Sequence, residues 1–269
     1  PVYDKPMIYY PLSILLEMGI TDILIIVPPD EQEQFENLLG RGENFGASIS
    51  YIKQYERRGI ADAFILGEDF IGKDRVCLAL GDNIFFGRSL SQKLISAKNS
   101  ASGATVFGCY MDDPRPFGVV EFDKDGKVIS IEEKPQNPKS NYIVPGLYFY
   151  DNRVCEIAKT VKPSARGELE ITSVNNAYLD MGELSIVPLD KNITWFDTGN
   201  SNTLLDAACA IRQYKEETGE EIGCPEEVAY RSGLISYEKL LTIAEKIKMS
   251  DYGKYLMDFA LNSRKEVLV

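Results

Sequence analysis

"DRVCLALGDN" (residues 74–83) opens on charge, runs apolar from Val76 to Leu80 and closes on Gly81, Asp82 and Asn83. An apolar run bounded by turn formers is the signature of a buried strand. Its end has two readings. Asp and Asn bond their own backbone and so commonly make the turn after a strand. In an open α/β sheet, however, ligands bind outside the carboxyl ends of the strands, and Asp82 would point into that crevice. The flanking sequence sets the fold. Upstream, "PMIYYPLSILLEMG" (6–19) has helical apolar spacing and stops at Gly19, and "DILIIVPP" (22–29) is a β-branched run closed by prolines. "EQEQFENLLG" (31–40) then reads as a helix, "ASISYIKQ" (47–54) as a strand and "GIADAFILGEDFIG" (59–72) as a helix. Strands alternating with helices argue for βαβ units and a mainly parallel sheet.

Downstream the rhythm changes. "GATVFGCYM" (103–111) reads as a strand, and "GVVEFDKDGKVISIEEKP" (118–135) as a hairpin about "DKDG". "YIVPGLYFYD" (142–151) is a further strand, "NRVCEIAKTV" (152–161) a helix, and "ELEITSVNNAYLDMG" (168–182) a longer helix ending at Gly182. "ELSIVPLDKNITWFDTG" (183–199) gives two short strands, after which the chain is helical in period except at "GCPEEVAY" (223–230) and "SGLIS" (232–236). The expected fold is α/β with a mixed, mainly parallel central sheet over residues 1–199, followed by a helical region over 200–269.

Composition narrows the chemistry. The 269 residues are 44% hydrophobic and 26% charged, ordinary globular usage that can bury a sizeable core. No window approaches the roughly 20 apolar residues of a membrane span, and residues 1–10 are not a basic segment followed by an apolar one. Cys77, Cys109, Cys155, Cys209 and Cys224 are scattered without a C-x-x-C, so a reducing cytoplasm is the expected compartment. A net charge of −12 argues against a nucleic-acid partner, but a few local cations or a metal can still reverse the field in one cleft. The absence of His removes Ser-His-Asp and Cys-His nucleophiles, His-ligated metals and imidazole acid–base catalysis. Carboxylates, Lys, Arg, hydroxyls or a hard metal ion remain.

Four stretches carry candidate chemistry. Asp197 in "WFDTG" ends an apolar-aromatic run as Asp82 does. Two such carboxylates suit Mg²⁺, which is held by one or two carboxylates plus substrate phosphates. "SIEEKP" (130–135) gathers Glu132, Glu133 and Lys134 before a proline, either as a charge-protected strand edge or as a lysine for a phosphate beside an acceptor for hydroxyls. Alternation would put Glu132 and Lys134 on one face and Glu133 on the other. "PSARGELEIT" (163–172) sets Arg166 and Gly167 at an expected helix start, with Ser164 as a possible cap. "QYERRGIADAF" (54–64) offers Gly59 before a helix, beside Arg57 and Arg58. Neither a dinucleotide fingerprint nor a Walker loop occurs.

Taken in order, "PVYDKPMIYYPL", "GIADAF", "LGDNIFFG", "FGVVEFD", "EEKP", "KSNYIVPGLYFYD", "SARGELEIT", "WFDTG" and "CPEEVAYRSG" closely resemble the glucose-1-phosphate thymidylyltransferases, within the sugar-nucleotide pyrophosphorylases. The resemblance spans essentially the whole chain. It implies a Rossmann-like nucleotidyltransferase fold and Mg²⁺-dependent joining of dTTP and glucose 1-phosphate into dTDP-glucose and pyrophosphate, by direct in-line attack. Position by position it implies Asp82 and Asp197 as the metal pair, with Asp82 also at the nucleotide. Lys134 would sit on the sugar phosphate, Glu133 on sugar hydroxyls, and Gly118, Val144, Tyr148 and Arg166 in the sugar-phosphate pocket. Gln54 and Gly59 would read the thymine edge. It further implies a homotetramer with a regulatory nucleotide site around Glu227 and Arg231, faced by Gly87 of a neighbouring copy, and a product directed to deoxysugars such as rhamnose.

Two departures accompany the resemblance. The family's Q-P-x-P-x-G-L-A-Q-A is here "QYERRGIADA", with Tyr55 and Arg57 for the prolines and Asp62 for Gln. This bears on thymine over uracil, so a uridylyltransferase or another hexose-1-phosphate nucleotidyltransferase is the near alternative. The family also precedes "PVYDKP" with a strand, a G-G-x-G-T-R loop and an S-K-Q-L-L segment, absent from these residues. The expectation is an incomplete start and an inactive 269-residue piece, with a non-catalytic nucleotide-sugar sensor as the alternative from another class.

Overall fold

A computed structural model describes residues 1–100 and 103–267. In chain order it begins α1 (Tyr9–Glu17), β1 (Asp22–Val27), α2 (Gln32–Leu39), β2 (Ser48–Lys53), α3 (Asp62–Leu66), α4 (Glu68–Ile71), β3 (Val76–Ala79) and β4 (Asn83–Phe86). There follow α5 (Leu90–Lys98), β5 (Ala104–Tyr110), β6 (Gly118–Phe122), β7 (Val128–Glu133), β8 (Tyr142–Ile143), β9 (Leu147–Tyr150), α6 (Val154–Thr160) and α7 (Ile171–Asp180). The chain continues through β10 (Leu184–Pro188), β11 (Thr194–Asp197), α8 (Ser201–Thr218), α9 (Pro225–Arg231), α10 (Tyr237–Ile247) and α11 (Asp251–Val267). Among the described residues no helix is long and apolar enough to cross a membrane.

These elements form two compact units: residues 1–25, 30–51 and 196–269 in one, and residues 26–29 and 52–195 in the other. The linear division at 199–200 is therefore a different partition, because the helices after residue 200 share their unit with the first part of the chain.

The second unit holds the large sheet, in the order β3-β9-β5-β8-β6-β7, with β10 added against β5. Only the β10–β5 pair in it is parallel, among the described residues. The pairs β3–β9, β5–β9, β5–β8, β6–β8 and β6–β7 are antiparallel. The mainly parallel expectation is corrected here to a mixed sheet rich in antiparallel pairs. A tight turn, which can join only antiparallel neighbours, links β6 to β7; the other antiparallel pairs bring together strands distant in sequence, such as β3 with β9 and β5 with β8. The 118–135 hairpin closes on Asp123, whose Oδ1 accepts from the backbone N–H of Asp125 and of Lys127, both at 2.9 Å, with Gly126 at φ +80°. "YIVPGLYFYD" is not one strand: it bends at Pro145–Gly146 between β8 and β9. The 59–72 helix likewise divides at Gly67.

Aromatic rings fill this unit's core. Phe64 meets the Tyr150 ring edge-on at 5.3 Å, and Tyr150 stacks on Tyr178 at 5.4 Å. The exposed side of β7 is shielded by α7, where the Asn176 amide accepts from Ile131 N–H and donates to Ile131 O, at 3.1 and 2.8 Å. A side chain thus substitutes for the missing neighbour strand.

In the first unit α1 ends as expected. Gly19, at φ +68°, donates to Leu16 O, and Ile20 N–H reaches Leu15 O at 2.9 Å. Asn200 caps α8 by accepting from Asn202 and Thr203 N–H. "GCPEEVAY" is not a break; Pro225 takes the first turn of α9, where its missing N–H costs nothing. Tyr9, Leu12, Leu16, Phe45, Leu240, Ile243, Tyr252 and Leu256 form the core. Within this unit lies a fully buried Lys5, 2.6 Å from Asp4 and paired with the equally buried Glu221, which also binds Lys215 at 2.6 Å. The Lys5 ammonium sits 4.9 Å over the Tyr252 ring, and the Tyr252 hydroxyl donates to buried Glu226.

Two outcomes follow. Lys5→Met leaves Glu221 buried with one cation fewer and lowers stability by about 3–5 kcal/mol in denaturant titrations. Burial raises the Glu226 carboxyl above its ordinary 4.5, against the Tyr252 hydrogen bond and Lys5. The native state therefore holds that proton longer than the unfolded chain does. The contribution is present at acid pH and is lost as pH rises from about 4.5 through the raised value. Relative to wild type, Glu226→Gln gains stability over that rise when thermal unfolding is followed against pH.

Candidate active site

The end of β3 is built around Asn83 rather than Asp82. The buried Asn83 amide donates to Asp82 Oδ1 at 2.9 Å, while its Oδ1 accepts from Gly146 N–H at 2.9 Å and from Trp195 Nε1–H at 2.7 Å. Leu80 N–H returns to Gly146 O at 3.0 Å, clipping the strand end to the β8–β9 bend. Position 146 must be glycine, because a Cβ there would lie 2.6 Å from Leu80 and 2.7 Å from Asn83. Asp82 is half-buried beside this knot. The Asp-Asn pair is therefore more than a local turn: one amide ties together three segments and orients the acid.

A second group forms at the end of β7. The strand stops at Glu133, opposite Gly118 of β6. Lys134 adopts φ +45° and donates its N–H to Phe117 O at 2.9 Å. A left-handed non-glycine residue is uncommon and costs of order 1 kcal/mol; the following Pro135 disfavours the right-handed alternative. The alternation expected for Glu132, Glu133 and Lys134 therefore ends at Glu133. The half-buried Glu133 accepts from the Thr172 hydroxyl and lies 3.7 Å from the Arg166 guanidinium. A Cβ on Gly118 would meet Thr172 Oγ1 at 3.0 Å and Glu133 Oε2 at 3.4 Å. Val144 N–H donates to Gly118 O at 2.9 Å, and Tyr148 is buried on β9.

Arg166 does not open a helix. The helix begins at Ile171 with Glu170 at its cap position, and Arg166 lies in the preceding turn, where the Ser164 hydroxyl accepts its N–H at 3.2 Å. Ser164 is thus a turn residue; its hydroxyl donates to Glu170 Oε1 at 2.6 Å. Arg166 bonds both Glu170 oxygens, at 2.9 and 3.0 Å, and Glu168 at 3.1 Å. The Glu170 hydrogen bond is the main cause holding its guanidinium above the ordinary range. Thr172 and Glu170 were not singled out in the sequence. The only signal was their place in "GELEIT", with hydroxyl and acid spaced to face back toward Arg166.

A third group joins Gln54, Arg58 and Asp62. Arg58 donates to Asp62 Oδ1 at 2.7 Å and Gln54 Nε2 to Asp62 Oδ2 at 3.0 Å. Gly59, at φ +104°, is pressed against Leu169, whose O would lie 2.5 Å from a Cβ. All these residues belong to the second unit.

Asp197 belongs to the other unit, at the end of β11, and accepts from Gly199 N–H at 2.9 Å. Glu227 and Arg231 pair with one another along α9 at 2.7 Å in that same unit, with Arg231 over the Phe259 ring at 4.8 Å. Gly87, in the second unit, is required as glycine by φ +142° and by Asn192 O, 2.2 Å from a Cβ. Among the described residues no group of three or more Cys, Asp or Glu is arranged to hold a metal alone.

The sequence model of the family described as Nucleotidyl transferase matches residues 1–214. A glucose-1-phosphate thymidylyltransferase of Neisseria meningitidis serogroup A is 51% identical over 257 residues, covering 96% of this chain and 89% of that protein. The glucose-1-phosphate thymidylyltransferase of Mycobacterium tuberculosis is 48% identical over 258 residues, with the same 96% and 89% coverage. A crystal structure from Bacillus anthracis, assigned the same activity, aligns with a TM-score of 0.74 at 40% identity, over 84% of this chain and 88% of that one. A UDP-glucose pyrophosphorylase structure, 22% identical with a TM-score of 0.67, shares the fold.

The Asn83 knot has a direct test. Asn83→Leu leaves the Gly146 and Trp195 N–H groups buried without acceptors, at about 1–3 kcal/mol each. Trp195 is the chain's one tryptophan. Its emission moves to the red on unfolding, and the denaturant midpoint so measured is expected to fall.

Proposed function

Because this chain belongs to the nucleotidyl transferase family, and relatives about half identical over nearly all of it are glucose-1-phosphate thymidylyltransferases, we propose that it transfers a thymidylyl group from dTTP to glucose 1-phosphate, giving dTDP-glucose and pyrophosphate. The observation that carries the reading is the Gly118–Glu133–Lys134–Arg166–Thr172 group. It combines cations for a phosphate, an oriented carboxylate for hydroxyls, and a glycine that leaves room beside them.

A phosphate oxygen of the sugar phosphate attacks the α-phosphorus in line, forming one P–O bond as the bond to pyrophosphate breaks. A phosphate monoester, with a second pKa of about 6, is already largely ionised at neutral pH. No general base is needed, which agrees with a chain that has no His. Catalysis reduces to positioning and charge neutralisation. Lys134 neutralises the attacking phosphate, Arg166 supports it, and Glu133 accepts sugar hydroxyls while Thr172 fixes its orientation. Gly118, Val144 and Tyr148 shape the sugar pocket; Gln54 and Gly59 take the base.

Hard carboxylate oxygens suit Mg²⁺, and phosphates can complete a coordination sphere that the described residues do not fill alone. In this reading Asp82 and Asp197 would hold the ion, and the chemistry it would supply is neutralisation of charge on the phosphoryl oxygens. Glu227, Arg231 and Gly87 stay outside the chemistry and are assigned to a regulatory nucleotide contact between copies of a homotetramer. The helices of residues 200–269 would supply that assembly's contacts. The expected compartment is the cytoplasm.

The test is pyrophosphate release by the protein as encoded by its full reading frame, with glucose 1-phosphate, Mg²⁺ and dTTP or UTP. Release with dTTP is expected, falling about 10²–10³-fold or more in Asp82→Asn, the loss typical of removing one preorganised electrostatic group. Thr172→Val raises KM for glucose 1-phosphate more than it lowers kcat. Absence of release with either nucleotide contradicts the assignment.

A further inference from the structure

The carboxylate of Asp62 is 1% exposed and engaged at both oxygens, by Arg58 on Oδ1 and by Gln54 Nε2 on Oδ2. A carboxylate offers acceptors only, so the Gln54 atom facing it must be the NH₂ group. Reversing the amide would set its carbonyl oxygen against the Asp62 oxygen, in a site where burial makes that contact costly. Backbone bonds reinforce the arrangement: Leu169 N–H reaches Arg58 O at 2.6 Å and Ala61 N–H reaches Leu169 O at 3.1 Å. The turn that carries Arg58 is thereby fixed to the segment before α7.

A locked Gln54 amide leaves its Oε1 as an acceptor and one N–H as a donor. The imide edge of thymine or uracil offers the complement, an N3–H donor beside a carbonyl acceptor. Cytosine offers N3 as an acceptor beside an amino donor, which only the reversed amide could meet. We infer that Asp62, held by Arg58, is a positioning residue that fixes the Gln54 amide and so selects imide over amino pyrimidine nucleotides. The inference rests on the reading above that Gln54 faces the base. Asp62 itself touches no substrate; it acts by denying Gln54 its second orientation.

The experiment measures binding of dTTP and dCTP by titration calorimetry, with turnover assayed in parallel on the same full-reading-frame protein. Wild type binds dTTP in clear preference. Asp62→Asn, whose amide can face either atom of Gln54, lowers that preference about tenfold to a hundredfold, the range of one charge-assisted hydrogen bond. In turnover the change is carried by KM rather than kcat. Arg58→Met acts at a half-exposed side chain, loosens the same clamp without altering a buried position, and shifts the preference in the same direction. With Gln54→Met already in place, Asp62→Asn has no further effect on the ratio. Equal binding of dTTP and dCTP by wild type overturns the inference, as does an unchanged ratio in both clamp variants. A wild type that selects dTTP yet releases no pyrophosphate overturns the transferase reading and leaves the clamp standing.

Discussion

One side-chain amide carries the strand-end architecture. Asn83 gives its donor to Asp82 and both acceptor positions of its oxygen to groups far away in sequence, Gly146 N–H and Trp195 Nε1–H. Each of these N–H groups is polar and enclosed, and a buried donor without an acceptor costs more than its bond contributes. The bend between β8 and β9 is therefore tied to the residue that orients the acid. Gly146 is demanded by the same closeness, since any Cβ would strike Asn83 and Leu80.

The second constraint is electrostatic. In this chain of net charge −12, the candidate-site guanidinium groups are surrounded by acids. Arg166 is gripped by Glu170 and approached by Glu168 and Glu133, which raises its pKa and fixes its position. Arg58 is bound to Asp62 in the same way. Such pairs contribute little to stability where exposed; their value here lies in placing guanidinium groups with little freedom left to lose. Lys134 is held differently, by a backbone conformation that a non-glycine residue rarely adopts. Strain of this kind persists where surrounding bonds over-determine it, and it concentrates at working sites.

Much of this was legible in the sequence because it is local. The strand leading to Asp82, the DKDG hairpin and the stop of α1 at Gly19 follow from short-range pattern, whereas the roles given to Glu133 and Lys134 came from the resemblance. What escaped is what depends on distant partners. The sense of strand pairing is set by which strands meet, and β3 meets β9 rather than an early neighbour. Thr172 and Glu170 matter only because α7 lies beside β7 and the Arg166 turn. Asn83 looked like a turn residue because nothing near it in sequence discloses Gly146 or Trp195. Arg166 was assigned to a helix start that lies several residues later, since "SARGE" carries helix-cap residues but spends them on a turn.

The central claim is that a chain without His transfers a nucleotidyl group by direct displacement in a charge-neutralised site. Its most direct test is stereochemical: turnover of one diastereomer of the α-thio analogue of dTTP with glucose 1-phosphate, followed by configurational analysis at phosphorus. Inversion is the result predicted for a single in-line step. Retention would mean two displacements through an enzyme-bound nucleotidyl intermediate, and would contradict the account.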